Sequence, residues 1–151
     1  MTKPRTPFED TSVPIERSQG QIRALLVKHG ALGVSFEERW GEEPLCIVRF
    51  VWPIGEHKAA IRLEVTPLPP RESWARTGPN VDQRQRQAWR GLAWYLDGTI
   101  KAATFGLIRF EDVFLSFIEV PTGEHAGKTL GEVVMPQLQA GRLALPEVAG
   151  G

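Results

Sequence analysis

The chain holds a single cysteine, Cys46, among 151 residues, which excludes an intrachain disulfide framework and fits a reducing compartment. Its position inside the apolar run LCIVRFVW reads as a buried, inert thiol. Long hydrophobic stretches are missing as well. No run approaches the roughly 20 residues that a spanning helix needs, and the opening MTKPRTPFEDTSVP has no hydrophobic centre of the secretory kind, so a cytoplasmic protein without membrane contact is expected. Neither sign of charge is in excess. Lys plus Arg and Asp plus Glu number 18 each, and no global field therefore marks nucleic acid or an anionic surface as a partner. Histidine is sparse too: His29, His57 and His125 include no pair at i, i+4, and with one cysteine no regular zinc motif exists. No metal or other cofactor is expected. No nucleophile sits in a recognisable catalytic turn either, so no catalytic residue is assigned.

What is present suits one well-packed domain, since 42% of the residues are apolar and the length is too short for two ordinary cores. The first 14 residues carry three prolines and read as a flexible tail. From there the hydrophobic period alternates between helix and strand. Ser18 with Gln21 forms a capping-box pattern, and Ile22, Leu25, Leu26 and His29 follow at i, i+3, i+4 and i+7 until Gly30. Period two then takes over. Val34, Phe36 and Trp40 alternate with polar residues, the turn GEEP leads into LCIVRFVWPI, and GEHK turns that strand back into AAIRLEV. Glu37, Arg39, Arg49, Arg62 and Glu64 fall on the less buried face of the resulting antiparallel sheet.

Residues 66–80 contain four prolines and no periodicity, which marks a long loop. Asp82 opens a long helix with the apolar stripe Trp89, Leu92, Ala93, Leu96, Ile100 and Ala103, ended by Gly106. Gly91 and Gly98 inside it suggest close packing onto the sheet. Helical spacing continues through Phe110, Val113, Phe114, Phe117 and Ile118, and a last helix carries Leu130, Val133, Val134 and Leu138, with a kink at Pro136. The expectation is an α+β domain over residues 15–146, order α-β-β-β-α-α-α, in which helices pack a three-stranded antiparallel sheet; residues 147–151 form a second flexible tail.

Two motifs invite chemistry. Gly123 followed by Gly127-Lys128-Thr129 resembles a phosphate-cradling loop, but it encloses three residues where the motif has four. Thr129 with Glu132 instead forms a capping box, which occupies the hydroxyl that would hold magnesium. Gly-Glu-His occurs twice, at residues 55–57 and 123–125, and reads as turn chemistry with glycine at a positive φ.

The functional signal lies in the zoning of charge. Residues 1–70 hold nine basic and nine acidic groups, residues 71–108 six and three, and residues 109–151 three and six. In the basic middle, Arg86, Arg90, Trp94 and Lys101 share one stripe of the long helix, and the preceding segment adds Arg71, Trp74, Arg76 and Arg84. Guanidinium groups beside indoles suit nucleic acid, because cations hold phosphates while a ring face accepts any base. The competing reading packs Trp94 and Tyr95 against another element and leaves the arginines as solvated helix charges.

The set Pro14-Ile15-Glu16-Arg17-Ser18, Trp89-Arg90, Phe110-Glu111 with Phe114-Leu115, Gly131-Glu132, Pro136-Gln137 and Pro146 resembles small uncharacterised proteins of phages and prophages, over nearly the whole chain from residue 13. That resemblance implies a mobile-element origin, and with it nucleic-acid handling in replication or recombination, or capture of a host or phage protein. It supplies no catalytic residue. The order helix, three antiparallel strands, helix is also that of the double-stranded-RNA-binding fold, an analogy of topology alone. The expectation is a non-catalytic nucleic-acid-binding protein. Its rival is an interaction protein that uses the acidic C-terminal third or an exposed sheet edge.

Overall fold

The computed structural model describes residues 5–68 and 81–142. It contains α1 (Ile15–Lys28), β1 (Gly33–Arg39), β2 (Leu45–Ile54), β3 (His57–Val65), the long α2 (Val81–Thr104), the single-turn α3 (Phe110–Val113), a 3₁₀ turn (Leu115–Phe117) and α4 (Leu130–Gln139). The architecture is α+β, as the periodicity indicates. The strands form one antiparallel sheet in the order β1-β2-β3.

Register divides the sheet into two unlike faces. Phe36 pairs with Val48, which pairs with Leu63; Val34 pairs with Phe50, which pairs with Ile61. These side chains share the inner face and bury themselves against Ile22 and Leu26 of α1 and Trp89, Leu92, Ala93, Leu96 and Ile100 of α2. Strand alternation thus supplies one apolar plane, and two helical stripes cover it.

The outer face carries the charges expected there. Arg49 stands directly opposite Arg62, an arrangement that repels unless an anion intervenes. Glu119 intervenes, 2.7 Å from Arg49 Nε and 3.6 Å from Arg62 Nη1, while Glu132 of α4 reaches Arg62 at 3.3 Å. Glu119 arrives on a stretch that lies along β3: its amide donates to Ala60 O at 2.8 Å, and Ile118 bridges Ile61.

Four local expectations change. α1 begins at Ile15, one turn before Ser18, because the extended Pro14 acts as its cap and accepts from the amides of Arg17 and Ser18. Ser18 is buried inside the helix instead of capping it. The helical spacing at 110–118 breaks into one α-turn, one 3₁₀ turn and an extended end, since Ile118 and Glu119 exchange helix bonds for pairing with β3. Gly91 and Gly98 face open space, with nothing near the position of an added Cβ, so they do not mark close packing. Finally, α4 contributes no buried residue, leaving Val113 and Phe114 as the core's C-terminal part.

Residues 1–14 were read as a tail, yet from Thr6 onward the segment lies along α2. Gln83 Nε2 donates to Glu9 O (2.9 Å) and Thr11 O (3.0 Å), and Gln87 Nε2 donates to Thr6 Oγ1 (2.9 Å) and Pro7 O (2.8 Å). Two side-chain amides one turn apart on one helix face thereby supply donors to oxygens of a turn-containing segment that pairs with no strand among the described residues.

Candidate nucleic-acid interface

The orientation of α2 is set by two polar bonds beneath the apolar core. Trp89, fully buried, donates from Nε1 to Glu38 Oε1 at 2.7 Å, and its ring meets Phe36 edge-on at 5.5 Å. One turn earlier Gln85 accepts from the Cys46 thiol at 2.6 Å. Glu38 and Cys46 are cross-strand partners, so both bonds anchor one helix face to one point of the sheet. Burial, with the nearby Glu38 carboxylate acting in the same direction, pushes the Cys46 thiol up to about 12. The thiol is therefore a protonated donor, inert as expected from its apolar run.

Fixing Trp89 inward decides what faces out. At about 100° per residue, Arg90 and Trp94 turn away from the sheet. Trp94 is 65% exposed, against Trp89's complete burial. Among the described residues its one ring neighbour is Phe8 of the N-terminal segment, with centroids 6.1 Å apart. The competing expectation of a packed Trp94 fails for this residue.

Between α1 and α2 lies an open groove of about 440 Å³, lined by Gln21, Ala24, Leu25 and Lys28 on one side and Arg90, Ala93, Trp94 and Asp97 on the other. Ala24 and Ala93 keep its floor low. Arg90 Nη1 bonds the neutral Gln21 Oε1 at 2.5 Å and keeps its full charge. Lys28 has no ion-pair partner among the described residues. Asp97, the one carboxylate in the groove, is 2.8 Å from Lys101 Nζ. Two cations and an exposed indole therefore share one concave surface.

The remaining expected residues distribute as follows. Lys101 lies on the same side of α2 but is neutralised by Asp97. Arg86 is turned onto its own helix, its guanidinium on Gln83 Oε1 at 2.6 and 3.2 Å. Arg84 points to the opposite flank, where it binds the carbonyls of Leu68 (2.6 Å) and Pro67 (3.3 Å). Arg71, Trp74 and Arg76 lie outside the described residues. Of the eight, the structure brings together Arg90 and Trp94. It adds Lys28 and Gln21, which sequence reasoning missed because nothing along the chain says which face of α1 meets α2.

On the far side of Trp94 a second groove of about 320 Å³ is almost wholly apolar, walled by Pro7, Phe8, Val65, Pro67, Leu68 and Tyr95. The phosphate-loop motif, in contrast, has no free cradle. The amide of Gly127 donates to Val120 O, that of Lys128 to His125 O, that of Thr129 to Glu132 Oε2 and that of Leu130 to Ile118 O. The four amides from Gly127 to Leu130, where the motif would turn into its helix, are thus occupied within the fold. The capping box of Thr129 and Glu132 is complete, and Gly55 and Gly123 adopt the positive φ expected of the two Gly-Glu-His turns.

Among the described residues no three His, Cys, Asp or Glu side chains gather as metal ligands, and no helix is long and apolar enough to cross a membrane. No family model, curated protein or solved structure matches the chain.

Proposed function

We propose that the protein is a non-catalytic accessory protein that binds single-stranded nucleic acid across the groove between α1 and α2. One observation carries the proposal: the exposed Trp94 indole stands beside Arg90 and Lys28 in one open depression. An indole face contributes about 1–3 kcal/mol per stacked base and is indifferent to sequence. Only an unpaired base reaches it, because a duplex keeps its bases stacked inside. Arg90 and Lys28 flank the ring and hold phosphates. The phage and prophage resemblance adds a setting, replication or recombination, in which single strands occur.

Two phosphate contacts imply a log–log salt slope of only about −1.4 for a single strand, so binding is modest and moderately salt-sensitive. Fluorescence anisotropy with a labelled oligothymidine at two salt concentrations tests this, with Trp94→Ala and Lys28→Glu/Arg90→Glu as controls. Weaker binding in both variants, and quenching of Trp94 emission by the strand, is the expected result. Salt-insensitive binding, or binding untouched by the double charge reversal, refutes the proposal.

A second reading rests on the apolar groove beyond Trp94, where a host or phage protein could insert a hydrophobic side chain. The two separate cleanly. Lys28→Glu/Arg90→Glu weakens nucleic-acid binding, whereas Gly91→Leu, placed in the wall of the apolar groove, blocks a protein partner alone.

A further inference from the structure

The two edges of the sheet are treated differently. The outer edge of β3 is occupied by Ile118 and Glu119, which bridge Ile61 and bond Ala60. Along the outer edge of β1 no strand or bridge lies among the described residues. An open edge presents a row of amides and carbonyls ready to pair with another strand, and chains that avoid such pairing use lysine, proline, a bulge or an inward-pointing charge. β1, GVSFEER, has neither lysine nor proline. Its one inward charge, Glu38, is drawn beneath the core by Trp89 Nε1 at 2.7 Å and Gln19 Nε2 at 3.5 Å.

We propose that β1 pairs antiparallel with β1 of a second copy, about a two-fold axis through Glu38, to join two sheets into one of six strands. Charge complementarity selects this register. With the axis at Glu38, Glu37 of each copy faces Arg39 of the other, so the outer face gains two opposite-charge pairs. On the inner face Phe36 comes opposite Trp40, the residue that follows β1, which is 52% exposed and has no ring partner among the described residues. Moving the axis to Glu37 sets that carboxylate against its own copy. Moving it to Phe36 sets Val34 against Glu38 and removes both opposite-charge pairs. The cost of the chosen axis is one Glu38–Glu38 approach, softened because each carboxylate already accepts from Trp89 and Gln19. Within one chain Glu37 and Arg39 meet only at 3.4 Å with both side chains about half exposed, a weak contact free to exchange partners.

Self-complementary charge gives a test with four arms. Sedimentation equilibrium of the whole chain is expected to show a dimer at high micromolar concentration. Glu37→Arg and Arg39→Glu each create like-charge pairs, and each weakens the dimer by about tenfold or more. The double variant Glu37→Arg/Arg39→Glu restores it. Mixing the two single variants yields a heterodimer, because both outer-face pairs are then of opposite sign. Far-ultraviolet circular dichroism confirms that each variant is folded. A monomer at all concentrations, a dimer indifferent to the single reversals, or single variants that remain apart on mixing overturns the proposal.

Discussion

Replacing Trp89 by phenylalanine removes a donor and part of a ring from a site with no solvent access. The bond lost runs 2.7 Å from Nε1 to Glu38 Oε1, and Glu38 is left with Gln19 Nε2 at 3.5 Å. A hydrogen bond to a charged group is worth about 1.5–3 kcal/mol. The missing part of the indole leaves a cavity beside Phe36 that adds about 1–2 kcal/mol. The sum, about 2.5–5 kcal/mol, is a large fraction of the roughly 5–15 kcal/mol that holds an ordinary domain together. Glu38→Gln separates the two contributions, since it keeps an acceptor in place and removes the charge. Urea unfolding followed by circular dichroism on the wild type, both single variants and the double variant gives a coupling energy, expected at about 1–2 kcal/mol. Coupling below about 0.5 kcal/mol means that Trp89 and Glu38 act independently, and the argument that this bond sets the orientation of α2 then fails.

Three further outcomes follow from individual residues. Cys46 titrates near 12 in the folded chain against an ordinary 9.0, so the stability it confers is complete below pH 9 and is lost as pH rises from there toward 12; thiol labelling of the native protein should be slow at neutral pH, and Cys46→Ala should flatten the alkaline part of a stability–pH profile. Glu119→Gln leaves Arg49 and Arg62 facing each other across the strands and costs about 1–2 kcal/mol in denaturant melts, a loss that shrinks at high salt because screening relieves the repulsion. Two glycines in helices should respond with opposite sign to alanine: Gly98→Ala gains about 0.8–1 kcal/mol, because its Cβ enters open space, while Gly131→Ala loses stability in thermal melts, because its Cβ lands 3.0 Å from the Ser116 carbonyl oxygen.

Where local rules and packing agree, the sequence is legible. The alternation through LCIVRFVW placed Cys46, Val48, Phe50 and Trp52 on one face, and all four are buried. The stripe Trp89, Leu92, Ala93, Leu96, Ile100 and Ala103 was legible for the same reason, since period 3.6 on a long helix admits one buried face. At Phe110–Ile118 the same rule misled. Five apolar residues at helical spacing satisfied the pattern, but the free edge of β3 offered backbone partners that a third turn of helix could not match.

The candidate site divides along the same line. Arg90 and Trp94 were readable as a stripe, since both lie on one element and one repeat fixes their relation. Their neighbours were not. Lys28 belongs to another helix, and its place in the groove depends on how α1 and α2 cross the sheet. Arg86 shared the basic stripe by count and Arg84 was counted with the segment before it, yet nearby carbonyl and amide oxygens claimed both guanidinium groups.

The sequence by itself determined which segments become strands and helices, which face of each is apolar, and that Thr129 caps a helix instead of serving a phosphate, because each of these depends on neighbours within a few residues. Tertiary structure alone decided which cations keep their charge available, which indole meets solvent and which sheet edge is left open. Those depend on the side chains that distant segments bring within hydrogen-bonding reach, and a linear repeat carries no record of that distance.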